Sequence, residues 1–174
     1  WGRAAAAPPH RTVEGALVDL GHVGIPAGTG DVRLLQTLVR ERFVPVIARI
    51  GVDGQGGLLN VNADTFAGYL AARLRARRLI IAGTTAGVLG SDGGTLPSLD
   101  TDLVAQLVAD RTATAGMIAK LCACEHALAG GVDDVLIVDG RNAGALEAAA
   151  AGATPSSATR LVAGMKTCAP SART

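Results

Sequence analysis

The stretch RLIIA, Arg78 to Ala82, decides the fold. It is a short run of aliphatic, partly β-branched residues, bounded on both sides by segments of helical period, and it predicts a buried strand. Upstream, Asp64 opens a segment with Phe66, Leu70 and Leu74 at i, i+4 and i+8, one face of a helix. Downstream comes a turn-rich excursion, Gly90 to Gly94. A helix with Leu103, Val104, Leu107 and Val108 facing inward follows, then a second helix over about Met117 to Ala129. Val135 to Asp139 predicts another strand, Ala143 to Ala151 a helix, and Leu161-Val162 a last short strand. Nearer the start, VPVIARI (Val44 to Ile50) predicts a buried strand, and Asp53-Gly54 with Gly56-Gly57 a hairpin-like turn before the apolar pair Leu58-Leu59. Asp31 predicts a helix cap ahead of Leu34, Leu35, Leu38 and Val39. Ala16 to Asp19 reads as a strand end, and a Gly/Pro-rich loop is expected from there through Gly30.

Apolar strands separated by helices imply an α/β protein, a three-layer α/β/α sandwich with a mainly parallel sheet covered on both faces. Right-handed crossovers then gather functional loops at the carboxyl ends of the strands. The expected organisation is a disordered or extended segment over 1–12, one domain over 13–164, and a loose tail over 165–174 that contains Lys166.

Composition narrows the function classes. The 174 residues are 49% hydrophobic and 18% charged, so a chain of this length can bury one core and disorder is excluded for its body. Aromatics contribute only 2%, which leaves Ala, Val, Leu and Ile to build that core. A net charge of +1 argues against a dedicated nucleic-acid or membrane-surface binder, and no apolar stretch approaches a membrane span. Cys122, Cys124 and Cys168 are too few and too unevenly spaced for a disulfide framework, so a cytoplasmic, reducing location is expected.

Several apparent motifs dissolve on inspection. Gly28-Thr29-Gly30 precedes a helix, but Arg33 stands where a dinucleotide fingerprint needs its third glycine, and no G-K-S/T triplet occurs. Cys122 and His126 share a helix face while Cys124 points away, which leaves a zinc site short of ligands, so no metal centre is expected. His10 and His22 are isolated loop histidines. The arginines at 73, 75, 77 and 78 suit a helix C-terminus and lack interleaved aromatics for base stacking.

Two features remain. Asn60-Val61-Asn62-Ala63-Asp64 sets three polar side chains at a strand-to-helix junction, where one of Asn62 and Asp64 would suffice as a cap. The second is Lys120, one of two lysines among sixteen basic residues, which stands in a helix after Thr114-Ala115-Gly116. A lysine kept amid arginines suits a compact point charge.

Taken together, VDLGHVG (Val18 to Gly24), VPVIARIGVDGQG (Val44 to Gly56), NVNADTFAG (Asn60 to Gly68), LIIAGTTAGVL (Leu79 to Leu89), TAGMIAK (Thr114 to Lys120) and VLIVDGR (Val135 to Arg141) resemble, in order and spacing, the amino acid kinase family and within it the acetylglutamate kinases. The resemblance implies transfer of the γ-phosphoryl of ATP, carried with Mg²⁺, to the side-chain carboxylate of N-acetyl-L-glutamate, a step of arginine biosynthesis. It implies that Lys120 and Asp64 are catalytic, and that Asn60 and Asn62 bind the acyl amino acid. Thr84, Thr85, Gly87, Val88 and Leu89, with Ala115, Gly116, Met117 and Lys120, would border the nucleotide. A homo-oligomer is compatible with it; nucleic acid and membrane are not expected partners.

This sequence departs from the family pattern in two respects. The family opens with a glycine-rich loop bearing a second catalytic lysine, then a Gly-Gly pair and an arginine that grip the acetylglutamate, and none of these lies in this sequence. Thr84 also stands where the nucleotide loop usually carries an acidic residue. The chain is therefore read as the C-terminal, nucleotide-binding portion, with little turnover expected of it alone. The alternatives are a kinase for a related acylated amino acid, such as an aminoadipate derivative, and a non-catalytic nucleotide-binding module.

Overall fold

The computed structural model describes residues 2–12, 14–28, 30–109 and 114–163. Lys166, Cys168 and the expected tail lie outside the described residues, as does the side chain of Val108. The elements run β1 (Ala4–Ala6), β2 (His10–Arg11), β3 (Leu17–Val18), β4 (Val23–Pro26), α1 (Arg33–Arg40), β5 (Ile50–Val52) and β6 (Leu58–Val61). Then come α2 (Ala63–Leu74), β7 (Arg78–Gly83), β8 (Ser98–Asp100), α3 (Thr101–Ala109), α4 (Ala115–Ala129), β9 (Asp134–Asp139), α5 (Ala143–Ala150) and β10 (Thr159–Val162).

Two four-stranded sheets result, ordered β1-β4-β6-β5 and β7-β9-β10-β8, beside a β2-β3 ribbon. The α/β layering is as the sequence implies, with mixed pairing inside it. β4–β6, β7–β9 and β8–β10 are parallel, whereas β1–β4, β5–β6 and β9–β10 are antiparallel. The β5–β6 pair is antiparallel because the chain turns back within five residues, too few for a crossover. Asp53 stabilises that turn: its Oδ1 accepts from the Gln55 and Gly57 amides at 2.8 and 2.7 Å, which holds its carboxyl below the ordinary range.

β9 explains the three layers. Val135 and Ile137 point into one cluster with Leu79, Ile81, Leu121, Cys124 and Ala127, beneath α2 and α4. The alternate residues Leu136 and Val138 point into another with Ala149 and Ala158, beneath α5. All four β9 residues are 0% exposed, as expected of a strand covered on both faces. A smaller core of Ala4, Leu59, Val61 and Phe66 lies under the first sheet.

Two expectations are corrected. Val44 to Ile50 is not a buried strand: only Ile50 enters β5, and Val44 and Val46 are 87% and 96% exposed. Pro45 removes an amide donor inside the run, and among the described residues no strand pairs with residues 44–49. Conversely, the loop expected through Gly30 contains β4. Its Gly24 is required by close approach, since a Cβ there would come within 2.8 Å of Leu59 Cβ on β6. α1 forms as expected but buries Leu35, while Leu34 and Val39 stay exposed.

Candidate active site

The junction after β6 is built by Asn62. Its Oδ1 accepts from the amides of Asp64 and Thr65 at 3.0 and 3.1 Å and so starts α2. Capping thus occupies the oxygen of Asn62, and Asp64 falls in the first helical turn, where the macrodipole favours a carboxylate. α4 starts similarly, with Thr114 Oγ1 accepting from the Met117 amide at 3.3 Å.

α2 and α4 run side by side and touch closely. A Cβ on Gly68 would sit 2.4 Å from the Ala123 carbonyl oxygen, so only glycine allows this approach. One turn before that contact, Lys120 Nζ donates to both oxygens of Asp64, at 3.0 and 2.9 Å. The two side chains are 20% and 19% exposed, an ion pair that is sheltered yet reachable from solvent. The lysine stem lies over the carboxyl end of β7: a Cβ on Gly83 would stand 3.7 Å from Lys120 Cε and 3.9 Å from the Thr85 amide nitrogen. Lys120, Asp64 and the start of the Thr84–Leu89 loop therefore meet at one mouth of the second sheet.

Asp139 ends β9 at the same mouth, where the Gly140 amide donates to the Gly83 carbonyl at 2.8 Å. Hydrogen bonds from the Arg141 side chain and amide hold the Asp139 carboxyl at about 2.

The Thr84–Leu89 loop is held rigidly. Thr85 Oγ1 donates to the Gly87 carbonyl at 2.8 Å, and Thr95 Oγ1 donates to the Ala86 carbonyl at 2.7 Å. Thr159 on β10, 0% exposed, accepts from the Val88 amide at 2.8 Å and donates to the Leu96 carbonyl at 2.7 Å. Gly87 has a φ of +68°, and a Cβ there would meet Thr159 Oγ1 at 2.4 Å. Val88 is buried in the main core, so it offers the site only backbone, while Leu89 is exposed. At the start of α4, among the described residues no atom outside the helix's own backbone lies within 4 Å of a Cβ built on Gly116.

Asn60, near the end of β6, is exposed, and its Oδ1 accepts from Arg49 Nη1 at 3.0 Å. Sequence reasoning missed both supports. Arg49 was signalled by being the one charge in VPVIARI; Thr159 gave no signal, since a threonine entering a strand is unremarkable. The cysteines near Lys120 differ: Cys122 is exposed, whereas burial, with the Asp64 charge nearby, pushes the Cys124 thiol up to about 12. His126 stacks on Tyr69, and among the described residues no group of three or more His, Cys, Asp or Glu could hold a metal ion.

The acetylglutamate kinase of Oleidesulfovibrio alaskensis is 43% identical over 125 residues, 72% of this chain and 42% of that enzyme. The chain thus spans about two fifths of the length of such curated relatives. Among solved structures, N-acetylglutamate synthase from Neisseria gonorrhoeae, complexed with coenzyme A and L-arginine, superposes with a TM-score of 0.76 at 20% identity, covering 92% of this chain and 36% of that one. Carbamate kinase from Giardia lamblia, bound to AMP-PNP, gives 0.64 at 17% identity, over 85% of this chain and 48% of that one. At those identities the likeness concerns the fold alone. Residues 13–139 match the amino acid kinase family, and with 127 of its 174 residues so matched the chain belongs to that family.

Proposed function

We propose that this chain carries the nucleotide-binding part of an acetylglutamate kinase, an enzyme that moves the γ-phosphoryl of MgATP to the side-chain carboxylate of N-acetyl-L-glutamate. The observation that carries the reading is the Lys120–Asp64 pair at the carboxyl end of β7, with the Thr84–Leu89 loop beside it. In the transfer, a carboxylate oxygen forms a bond to Pγ, the bond from Pγ to the β–γ bridging oxygen breaks, and ADP leaves with the electron pair. No proton moves, so the protein's task is to bring anions together and stabilise spread charge.

Lys120 supplies a compact cation for the transferring phosphoryl and the leaving ADP, and Asp64 fixes its direction. Thr84, Thr85, Gly87, Val88 and Leu89 form the nucleotide's border, largely through backbone. Ala115, Gly116 and Met117 add the N-terminus of α4, where the helix dipole favours phosphate. Asn60 holds the acyl amino acid at the other end of the junction, with Asn62 setting the helix between them. Mg²⁺ arrives with the nucleotide. The relatives' name favours acetylglutamate over an aminoadipate derivative as acceptor. Arginine biosynthesis and a cytoplasmic setting belong to the same proposal; among the described residues no helix is long and apolar enough to cross a membrane.

Calorimetry with MgATP tests the assignment. The chain is expected to bind it, and Lys120→Ala to weaken binding about tenfold or more, as expected when one charge-stabilising donor is removed. Unchanged affinity in Lys120→Ala overturns the role given to Lys120, and no binding at all overturns the nucleotide site.

A further inference from the structure

Two residues past Lys120, on the other side of α4, a cavity of about 270 Å³ opens between α2, α4 and the end of β4. Cys122 and His126 line it together. They stand four positions apart on one helix, so their side chains lie one above the other on the same face. Both residues are exposed, and among the described residues neither side chain has a hydrogen-bond partner. Cys124 points into the main core and is 0% exposed, which keeps it out of the cavity.

The pair is held in place by its surroundings. The His126 imidazole lies nearly parallel to the Tyr69 ring, at 17° with centroids 6.3 Å apart. Tyr69 is itself fixed, since its hydroxyl donates to the Gly28 carbonyl at 2.6 Å. The close approach of Gly68 to the Ala123 carbonyl sets the spacing of α2 and α4. Side chains ordered in advance lose little freedom when they close on a ligand.

The other walls select that ligand. Ile25, Pro26 and Ala123 are apolar, and the Thr65 hydroxyl is turned to Asn62 Oδ1 at 3.3 Å. Among the described residues no carboxylate lines the cavity, so a hard cation that demands oxygen finds no charge there. A closed zinc site needs four ligands, and the cavity offers one thiol and one imidazole. Two ligands satisfy a soft monovalent d¹⁰ ion, and thiolate sulfur favours Cu(I).

We propose that Cys122 and His126 form a two-coordinate site for a soft monovalent ion of the Cu(I) class. On binding, the Cys122 thiol releases its proton to solvent and its sulfur forms a bond to the ion. An imidazole nitrogen of His126 donates its lone pair opposite the sulfur. The ion arrives as Cu(I), so no electron is transferred. The site stands apart from the nucleotide reading and holds whichever acceptor the protein uses.

The test is a competition titration with Cu(I), kept reduced by ascorbate, against the coloured chelator bicinchoninate. It is carried out on the Cys168→Ser chain, which removes the thiol of the tail. That chain is expected to take one equivalent of Cu(I). Cys122→Ser and His126→Phe, the second of which keeps a ring against Tyr69, should each lower the affinity about tenfold or more. Both positions are exposed, and a thermal melt of each variant should match that of its parent. Uptake undiminished in Cys122→Ser places the ion elsewhere and overturns the proposal. Affinity unchanged in His126→Phe makes Cys122 a bare thiol and overturns it equally. Zn²⁺ held by the same two residues as tightly as Cu(I) would overturn the class of ion assigned.

Discussion

VPVIARI and VLIVD are almost the same sequence in physical terms, yet the molecule treats them as opposites. Val135 to Asp139 forms the middle of the second sheet, between β7 and β10, with α4 over one face and α5 over the other. Val44 to Arg49 lies outside the strands of the first sheet, and Phe43, Val44 and Val46 face solvent beside Leu34. A groove of about 540 Å³ runs among Leu34, Leu38, Phe43, Val44, Val46 and Ile50. The difference teaches that apolar, β-branched composition creates a demand for a partner without supplying one. Backbone pairing on two edges and a helix on each face decide which run becomes core.

The contrast is most easily broken by truncation. Leu136→Ala is expected to cost about 2–5 kcal/mol, because it opens a cavity in a covered layer. Val46→Ala, nearly free in solvent, should stay within about 0.5 kcal/mol. Urea denaturation of the two variants measures this directly, and comparable losses would mean that the Val46 face is covered in solution.

A smaller effect is expected at Thr159, which ties the Thr84–Leu89 loop to the second sheet. Thr159→Val leaves the buried Val88 amide and Leu96 carbonyl without their partner and should cost about 1–3 kcal/mol. Amide hydrogen exchange should quicken at Val88 and leave β6 unchanged; equal quickening across both sheets would make Thr159 a general core residue instead of a loop anchor.

Asn62→Ala addresses the junction between β6 and α2. Loss of the α2 cap should lower stability by about 0.5–2 kcal/mol. Because Asp64 rides on that first turn, the NMR resonance of the Lys120 ε-methylene should shift as well. An unmoved resonance would separate the cap from the ion pair.

The smallest effects are electrostatic and should be alike in both regions. Asp31 pairs with Arg33 in the first and Asp139 with Arg141 in the second, each two residues apart, and each carboxyl is held at about 2 against an ordinary 3.8. A depressed folded-state value means that each pair's contribution is fully present above pH 3.8 and is lost as the pH falls through about 2. Asp31→Asn and Asp139→Asn should therefore flatten the acid limb of the stability profile to a similar, small extent. A change in only one of them would show that even these local pairs depend on the surrounding sheet.

Much of the fold was legible from the chain itself. Runs such as RLIIA announce strands by composition and length, and α2 announces itself by the period of Phe66, Leu70 and Leu74 after the Asn62-Ala63-Asp64 start. VPVIARI misled because Pro45, the one residue arguing against a central strand, was outweighed by its apolar neighbours. β4 was hidden because VGIP has no pattern of its own and exists by pairing with β1 and β6. The site was legible in part. The NVNAD junction and Lys120 marked the two ends of the candidate site, while Arg49 and Thr159 act through neighbours remote in sequence, which a linear reading has no means to bring near.

The sequence by itself determined the local structure: which segments coil, which extend, and where helices begin. Only the tertiary structure decided that Lys120 closes on Asp64 across 56 positions, that Thr159 reaches the Val88 amide across 71, and that Arg49 donates to Asn60. The physical reason is range. Propensity and capping act over a few residues along the backbone, whereas charge pairing and buried hydrogen bonding depend on distances that exist only after helices and strands have packed.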